Sequence, residues 1–281
     1  MGFSVTLCKF LNKLCSLPVH PFNRQAGGKT YAEWQYEKGS DTIAFFKPFA
    51  SVDEMFAGKT VLDIGCGAAG KTLFYASQGV EKIIGLEILE KYRTEAEGLA
   101  AKLGLSHLFE FVCGDAAQLP FADNSMDTVV MNDAFEHIPD PQAALQEALR
   151  VLKPKGRVYI NFPPYYHPFG AHLSDAIGIP WAHMLFSDET LITVYRDAVS
   201  SLPDGQERLD FRIALDQNGK AYFSYINKLT IRRAAEIVSH LGLTPNYHHE
   251  APLRSFFRIF AKMPILKEMF VKMVVYVFEK P

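Results

Sequence analysis

The stretch Thr60–Thr72, TVLDIGCGAAGKT, decides the fold of this chain. Its first five residues are β-branched or aliphatic apart from one acid, which predicts a short buried strand. Glycines follow at three positions, and glycine permits a turn with positive φ that brings the backbone close to a ligand. The residues after the last glycine predict a helix whose first amides face that ligand.

The glycine spacing is compatible with three kinds of ligand site. The pattern GxGxxG over residues 65–70 fits the dinucleotide fingerprint, and GxxxxGKT over residues 65–72 fits the phosphate-binding loop of nucleoside triphosphatases. The third interpretation is the glycine-rich turn of a class I methyltransferase, with Asp63 in front of it. A tight strand-to-helix turn without any ligand is the purely structural interpretation.

Asp63 discriminates between these ligands through its charge. A carboxylate two residues before the first glycine lies near the incoming ligand and repels a diphosphate or triphosphate. The same charge attracts S-adenosylmethionine, which carries a sulfonium and an ammonium group. The sequence therefore favours a methyl donor at this turn.

Composition restricts the class of protein. Of the 281 residues 48% are apolar and the formal net charge is −2, which argues against disorder and against a global basic field for nucleic acid. The four cysteines show no paired spacing, so neither a zinc cluster nor a disulfide framework is indicated. We expect a reducing compartment, and hence a cytoplasmic protein.

No apolar run reaches the roughly 18 residues that span a bilayer.

Both ends of the chain carry a basic amphipathic segment, and the first of these is Phe3–Leu17. Lysines interrupt the first segment, which argues against a signal peptide, while Met1-Gly2 with Thr6 matches the bare myristoylation pattern. Its apolar residues recur at helical spacing: Phe3, Leu7, Phe10, Leu14 and Leu17.

The second segment, Leu253–Phe270, predicts a helix broken at Pro264, with Arg254, Arg258 and Lys262 on one stripe. Such segments are typical of helices at a membrane surface, and they predict weak, peripheral association there. The simpler interpretation is that both apolar faces pack on the sheet or on a partner subunit.

From residue 60 onward strand and helix patterns alternate, which predicts a parallel sheet. The second strand ends in Glu87, about where the fingerprint places a ribose-binding carboxylate. The third strand leads to Asp115, which can accept a hydrogen bond from an adenine amino group. The fourth precedes Asp133, which a phosphate-loop interpretation would treat as a magnesium ligand. That interpretation leaves Asp63, Glu87 and Asp115 without a role.

Five motifs in register resemble class I S-adenosylmethionine-dependent methyltransferases, most of all the small-molecule branch related to ubiquinone-biosynthesis enzymes. The motifs are VLDIGCGAAG (61–70), GLE (85–87), CGDAAQLPFADNSMD (113–127), NDAFEHIPDP (132–141) and LKPKGRVYI (152–160). The resemblance implies a Rossmann-like α/β fold whose seven-stranded, mostly parallel sheet has an antiparallel last strand.

The resemblance also implies the roles of seven residues toward S-adenosylmethionine. Asp63, Gly65 and Gly67 would hold the methionine part, and Asn132 would lie beside it. Glu87 would bind the ribose. The adenine would lie against Asp115 and Ala116. On this interpretation the Lys-Thr pair after the last glycine is a coincidence.

The predicted domains follow from these boundaries. An amphipathic helix and an irregular lead-in with Pro18, Pro21 and Gly27-Gly28 occupy residues 1–40. The methyltransferase core spans 41–162, a substrate cap inserted after the fifth strand spans 163–224, and the core is completed by 225–281. The aromatic residues before the core are interpreted as packing residues: Tyr31, Trp34 and Tyr36. A helix is predicted near residues 40–46.

The cap supplies the candidates for acid–base chemistry. Methyl transfer is an in-line displacement, and an oxygen or acidic carbon nucleophile must also lose a proton. Imidazole has a suitable pKa, so His167 and His172 are the candidate bases, with the neighbouring Tyr166 as a further catalytic candidate. Together with His183 they are compatible with a metal site, although the spacing does not indicate one. His137 lies near the cofactor end of the sheet, most simply as a helix-entry residue.

The sequence thus predicts a methyltransferase acting on a small, apolar or aromatic acceptor. Two alternatives stay open. One is a nucleotide-binding protein that uses GCGAAGKT, and the other is a module that binds the cofactor without catalysis.

Overall fold

A seven-stranded sheet organises the computed structural model, which describes residues 2–18, 29–264 and 266–281. Several sequence-based predictions therefore lie outside the described residues. They are Met1 of the myristoylation pattern, Pro21 and Gly27-Gly28 of the lead-in, and Ile265 of the second amphipathic segment.

The sheet has the strand order β3-β2-β1-β4-β5-β9-β8, and a separate hairpin pairs β6 with β7. The first five strands run parallel, whereas β9 runs antiparallel to both of its neighbours. The strands are β1 (Thr60–Ile64), β2 (Lys82–Glu87), β3 (Phe109–Cys113), β4 (Met126–Asn132), β5 (Leu152–Phe162), β6 (Ile213–Leu215), β7 (Ala221–Phe223), β8 (Tyr247–Pro252) and β9 (Val271–Glu279). The predicted fold, with its antiparallel last strand and its insertion after β5, is confirmed.

Helices cover the sheet and build the cap. They are α1 (Phe3–Leu14), α2 (Tyr31–Glu37), α3 (Gly39–Ile43), α4 (Val52–Phe56), α5 (Gly70–Ala76), α6 (Arg93–Lys102), α7 (Pro141–Val151), α8 (Ala182–Leu185), α9 (Asp188–Val199), α10 (Gly205–Arg212), α11 (Ile231–His240) and α12 (Lys267–Phe270). None of the helices in the described ranges is long and apolar enough to cross a membrane.

Parallel pairing brings the polar strand ends to one edge of the sheet. Asp63 in β1 lies opposite Gly85 in β2 and Val130 in β4, and Glu87 lies opposite Cys113. Because parallel strands all end on the same side, the residues that follow β1 to β4 are neighbours in space. Open α/β sheets bind ligands at this edge.

The strands are buried on both faces. Leu62 and Ile64 of β1 join the apolar cluster on one face of the sheet, while Val61 joins the cluster on the other. Side chains alternate along a strand, so a strand covered on both sides must be apolar at nearly every position. This explains why the sheet strands read as continuous apolar runs.

The cap has its own core, which includes the N-terminal helix. Cys8 of α1 is fully buried among cap residues from 171–179 and α9. A buried polar network also stabilises the cap: Asp175 lies 3.2 Å from Arg208 and 3.2 Å from Arg212, and it accepts a hydrogen bond from the Tyr195 hydroxyl at 2.8 Å. Electrostatic interactions between buried groups such as these are strong because the local dielectric constant is low.

Two local predictions are wrong. The segment 31–37 of the lead-in is helix α2, which begins with a capping box between Thr30 and Glu33. The predicted helix after Leu253 is instead a pair of 3₁₀ turns, Ser255–Phe257 and Phe260–Lys262. The strand β8 extends to Pro252 and pairs with β9, so the two turns follow the strand directly.

Candidate active site

A cavity of about 1230 Å³ opens at the carboxyl edge of the parallel strands. It is lined by the ends of β1, β2 and β4, by α2, and by the cap. Sites for one small ligand usually measure about 300–1,000 Å³, so this cavity has room for a cofactor and an acceptor together.

The glycine turn forms the floor of the cavity. Gly65 has φ of 77° and Gly67 has φ of 54°, both in the left-handed region that favours glycine. A Cβ on Gly65 would lie 2.6 Å from the Cβ of Ala134, so the close approach of the loop after β4 also requires glycine. Gly70 is needed for another reason, because a Cβ there would lie 2.1 Å from the carbonyl oxygen of Ala32 in α2.

Asp63 is buried beneath this turn. Its Oδ2 accepts a hydrogen bond from the Thr72 hydroxyl at 2.5 Å. Burial raises the pKa of Asp63 to about 7, although the Thr72 hydrogen bond and the charge of Lys71 oppose the rise. When burial raises the pKa of a carboxyl group, a nearby positive charge favours its ionised form. Asp63 is therefore suited to a cationic ligand.

Glu87 connects the second strand to the glycine turn. One carboxylate oxygen accepts the amide hydrogen of Gly67 at 3.0 Å, and the other accepts that of Leu89 at 3.1 Å. Burial raises the pKa of Glu87, and these amides oppose the rise. The side chain is thereby fixed at the cavity wall while each oxygen keeps a lone pair for a hydroxyl donor.

The remaining predicted cofactor residues also line the cavity. Asp115 accepts the amide hydrogen of Ala117 at 2.9 Å, and Ala116 lies beside it. The amide nitrogen of Asn132 donates to the Tyr75 hydroxyl at 3.1 Å, whereas its buried Oδ1 has no hydrogen-bond partner. A buried acceptor without a donor is costly, so this oxygen fits a donor supplied by a ligand.

A second group of titratable residues lies in the same region: Glu136, His137 and His172. The Oε1 of Glu136 lies 3.9 Å from the Nε2 of His137 and 3.9 Å from the Nε2 of His172. The two imidazole rings are 4.8 Å apart at 80°. The three residues each offer one atom that could bind a metal ion, and these atoms all lie within 4.8 Å of one another.

The state of this cluster follows from burial. Glu136 is 3% exposed, and neither carboxylate oxygen has a hydrogen-bond partner. Burial, and then the charge of Asp133, raise the pKa of Glu136 well above its ordinary value. The Nδ1–H of His137 donates to the carbonyl of Tyr225 at 2.6 Å, which leaves its Nε2 as an acceptor.

His172 reaches the cluster through a strained turn. It has φ of 52°, in a region that non-glycine residues rarely occupy. The hydroxyl of Tyr225 donates to the carbonyl of Ala171, and His172 donates its amide hydrogen to Phe169 at 2.9 Å. Strained residues of this kind persist where surrounding contacts determine them, often at functional sites.

The other predicted catalytic residues lie elsewhere. The Nδ1 of His167 accepts the amide hydrogen of Phe169 at 3.2 Å, and burial lowers its pKa to about 4. Tyr166 lines a different pocket, beside Arg232 and His249. His183 packs against Tyr165 at a ring distance of 4.8 Å. Of the predicted catalytic residues His167, His172 and Tyr166, only His172 lines the cavity. It lies beside Glu136 and His137 instead of the other cap histidines.

Several lining residues were missed at the sequence level. Tyr31 and Trp34 line the cavity from α2, although their pattern was interpreted as packing. Phe211 and Tyr225 line it from the cap. The cluster of aromatic residues before the core was the available signal for the first pair, whereas nothing local distinguishes the second.

The residues present fit S-adenosylmethionine. Three strand-end acids, Asp63, Glu87 and Asp115, share one cavity, and Asn132 adds an acceptor without a donor. They face a floor of glycine backbone. This donor set suits a ligand that carries cationic groups and ribose hydroxyls.

Comparison with known proteins agrees with this geometry. Residues 62–160 match the family model described as a methyltransferase domain. The 24-methylenesterol C-methyltransferase 2 of Arabidopsis thaliana is 37% identical over 105 residues, which cover 37% of this chain and 29% of that protein. The chloroplastic tocopherol O-methyltransferase of the same plant is 35% identical over 102 residues, or 36% of this chain and 29% of that protein.

A solved structure extends the likeness of the fold. Geranyl diphosphate methyltransferase in complex with SAM matches with a TM-score of 0.55 at 11% identity, over 88% of this chain and 85% of that one. Residues 62–160 thus match a methyltransferase domain, and they lie in the α/β fold predicted for class I S-adenosylmethionine-dependent enzymes. The predicted fold is confirmed, and the match supports the predicted enzyme class and cofactor for this domain. The matched residues span less than a third of either curated relative.

Proposed function

We propose that this chain is an S-adenosylmethionine-dependent methyltransferase that acts on a small, apolar or aromatic acceptor. One observation supports this above all others. A single cavity joins the three strand-end acids to His137 and His172 of the titratable cluster. A methyltransferase needs a cofactor site and an acceptor site within one enclosed space.

The cofactor residues have distinct roles in this proposal. Asp63 and the Gly65–Gly67 turn hold the methionine part, with the Oδ1 of Asn132 as an acceptor beside it. Glu87 holds the ribose hydroxyls, and Asp115 with Ala116 contacts the adenine. S-adenosylmethionine supplies an electrophilic methyl group on a positively charged sulfur. The protein aligns the acceptor and excludes water.

His172 accepts the acceptor's proton in this proposal. Its Nε2 lies 3.9 Å from the buried carboxyl group of Glu136, which in its ionised form would stabilise a protonated imidazole. His137 is held by the carbonyl of Tyr225 and positions the pair. A positioned base of this kind contributes about 10²–10⁴-fold to a rate.

The acceptor is a small lipophilic molecule in this proposal. Trp34, Phe211 and Tyr225 give the cavity aromatic walls, which suit a flat or greasy ligand. The matched relatives are named for a sterol and for tocopherol, both small molecules. The finer prediction of weak, peripheral membrane association is part of the same proposal, because such acceptors reside in membranes.

Calorimetry and a methylation assay test the proposal. We expect S-adenosylhomocysteine to bind with 1:1 stoichiometry and ATP with magnesium to give no heat of binding. A screen of sterols, phenols and quinols with isotope-labelled donor should transfer label to at least one of them. Binding of ATP would support the phosphate-loop alternative. Cofactor binding without label transfer to any acceptor would support the non-catalytic module.

A further inference from the structure

Helix α1 has two apolar sides, and only one of them is covered. Val5, Cys8, Leu11 and Cys15 pack against the cap core. The predicted apolar stripe lies on the other side and is exposed: Phe3, Leu7, Phe10, Leu14 and, just beyond the helix, Leu17. The stripe therefore does not pack on the sheet, and the other half of that expectation, packing on a partner subunit, stays a prediction.

A second exposed apolar set lies in the 3₁₀ turns after β8. Phe257 faces inward and packs on Phe270, with ring centroids 4.8 Å apart. The residues around it face outward: Phe256, Ile259, Phe260 and Met263. Exposed apolar groups in this number are uncommon on a monomer and mark an interaction surface.

Both sets adjoin one short stretch of the cap. The side chain of Asn12 in α1 accepts the amide hydrogen of Gly178 at 2.8 Å and donates to the carbonyl of Ala176 at 2.9 Å. Three residues beyond Gly178, the ring of Trp181 lies 5.9 Å from that of Phe270. Three residues of backbone span at most about 10 Å, so both segments adjoin this one stretch. Exposed apolar residues of α8 follow it directly: Met184 and Leu185.

The charges of the two segments select the partner. Residues 2–18 and 253–264 carry five basic residues and no acid, whereas the whole chain has a formal net charge of −2. Lys9 pairs with Asp197 at 2.5 Å, while Lys13, Arg254, Arg258 and Lys262 are exposed. A second copy docked symmetrically would place these like charges against one another. An anionic lipid surface attracts them.

We propose that these residues form one docking face for an anionic membrane surface. The face consists of the exposed apolar and basic residues of α1, α8 and the 3₁₀ turns: Phe3, Leu7, Phe10, Lys13, Leu14, Leu17, Met184, Leu185, Arg254, Phe256, Arg258, Ile259, Phe260, Lys262 and Met263. This inference rests on the proposed function in one respect: the membrane is the source of the lipophilic acceptor.

The docking face is connected to the acceptor side of the cavity. The loop 171–178 carries His172 at one end and contacts α1 at the other, through Ala176 and Gly178. Ala171 and Cys8 belong to the same apolar cluster. One loop thus joins the docking face to the acceptor side of the cavity.

Vesicle flotation tests the docking face with the whole 281-residue chain. The vesicles contain either phosphatidylcholine alone or phosphatidylcholine with 30% phosphatidylglycerol. Phe10 and Leu14 are 58% and 68% exposed, so the double variant F10E/L14E leaves the buried side of α1 unchanged. A second variant, R258E/K262E, alters only exposed charges. Leu215→Glu is the matched control, because Leu215 is 66% exposed on the β6–β7 hairpin outside the face.

We expect the wild-type chain to float with anionic vesicles at low salt and to dissociate at high salt. F10E/L14E should weaken vesicle binding about tenfold or more. R258E/K262E should weaken binding to anionic vesicles by at least about 25-fold, because each of the two lost basic groups contributes roughly fivefold and the new acids are repelled. L215E should bind like wild type.

Three results would overturn the proposal. They are absence of wild-type flotation at low salt, equal binding by F10E/L14E, and a dimer in sedimentation velocity that F10E/L14E converts to monomer. Binding of S-adenosylhomocysteine is measured separately without vesicles, so loss of the proposed function and loss of the docking face are distinguishable.

Discussion

The ammonium group of Lys71 lies 2.7 Å from the Oδ2 of Asp133, and this ion pair joins the first turn of α5 to the loop after β4. Burial lowers the pKa of Lys71, but Asp133, Tyr75 and Asp63 together more than offset this effect, so the pKa is raised. The phosphate-loop interpretation requires Lys71 for a phosphate and Asp133 for magnesium, but these two side chains bind each other. Thr72, the next residue of GCGAAGKT, donates to Asp63.

Lys71→Met distinguishes the two ligand classes. A phosphate-binding lysine is needed by its nucleotide, whereas removing a cation from a site for a cationic ligand does not weaken that ligand. We expect the affinity for S-adenosylmethionine to stay equal or to rise, as measured by calorimetry. A large loss of affinity would show that Lys71 contacts the ligand directly.

Asp63→Ala should weaken the cofactor strongly. Hydrogen bonds to charged groups contribute about 1.5–3 kcal/mol, which corresponds to a loss of roughly 10- to 150-fold in Kd. Titration of wild type and variant with S-adenosylmethionine measures the change. Asp123→Ala is the control, because Asp123 is exposed and pairs with Arg150 outside the cavity. Normal binding by Asp63→Ala would mean that the methionine part lies elsewhere.

Cofactor affinity should rise with pH through about 7. Burial raises the pKa of Asp63 to about 7, so the side chain is mostly protonated at pH 6 and mostly ionised at pH 8. Only the ionised form attracts a cation, which predicts a gain of about tenfold in affinity over this interval.

Asp63→Asn provides the reference for this pH profile. The variant keeps the shape of the side chain and removes its charge, so the part of the slope due to Asp63 should disappear. A wild-type profile that coincides with that of Asp63→Asn would contradict the assigned role.

His172→Ala should lower kcat while leaving cofactor affinity nearly unchanged. The loss expected for a missing base is about 10²–10⁴-fold. His167→Ala is the matched control, since His167 belongs to the same segment but lies outside the cavity, and its turnover should change less than about twofold. Equal turnover in the two variants would show that His172 is structural.

Gly65→Ala should destabilise the protein, whereas Gly98→Ala should stabilise it. Gly65 has φ of 77° and no room for a Cβ, and strain of this kind costs about 1–3 kcal/mol. Gly98 lies inside helix α6 with open space around it, where alanine gains about 0.5–1 kcal/mol. Urea unfolding of both variants measures the difference. A neutral Gly65→Ala would mean that the turn adapts.

The sequence by itself determined the central sheet and the cofactor edge. Continuous apolar runs specify strands buried on both faces, and their bounds agree closely, as for Thr60–Ile64 and Lys82–Glu87. Parallel strands end at one edge, so the chain order of Asp63, Glu87 and Asp115 was sufficient to bring these acids together.

Only the tertiary structure decided which cap residue reaches the cavity and which apolar faces remain exposed. His172 meets Glu136, and Tyr225 meets His137, through the path of an irregular, proline-rich insertion, where no periodic pattern fixes direction. Helix α1 is apolar on both sides, so its sequence could not show which side the cap covers. These outcomes depend on contacts between residues distant in the chain, and such contacts leave no local pattern in the sequence.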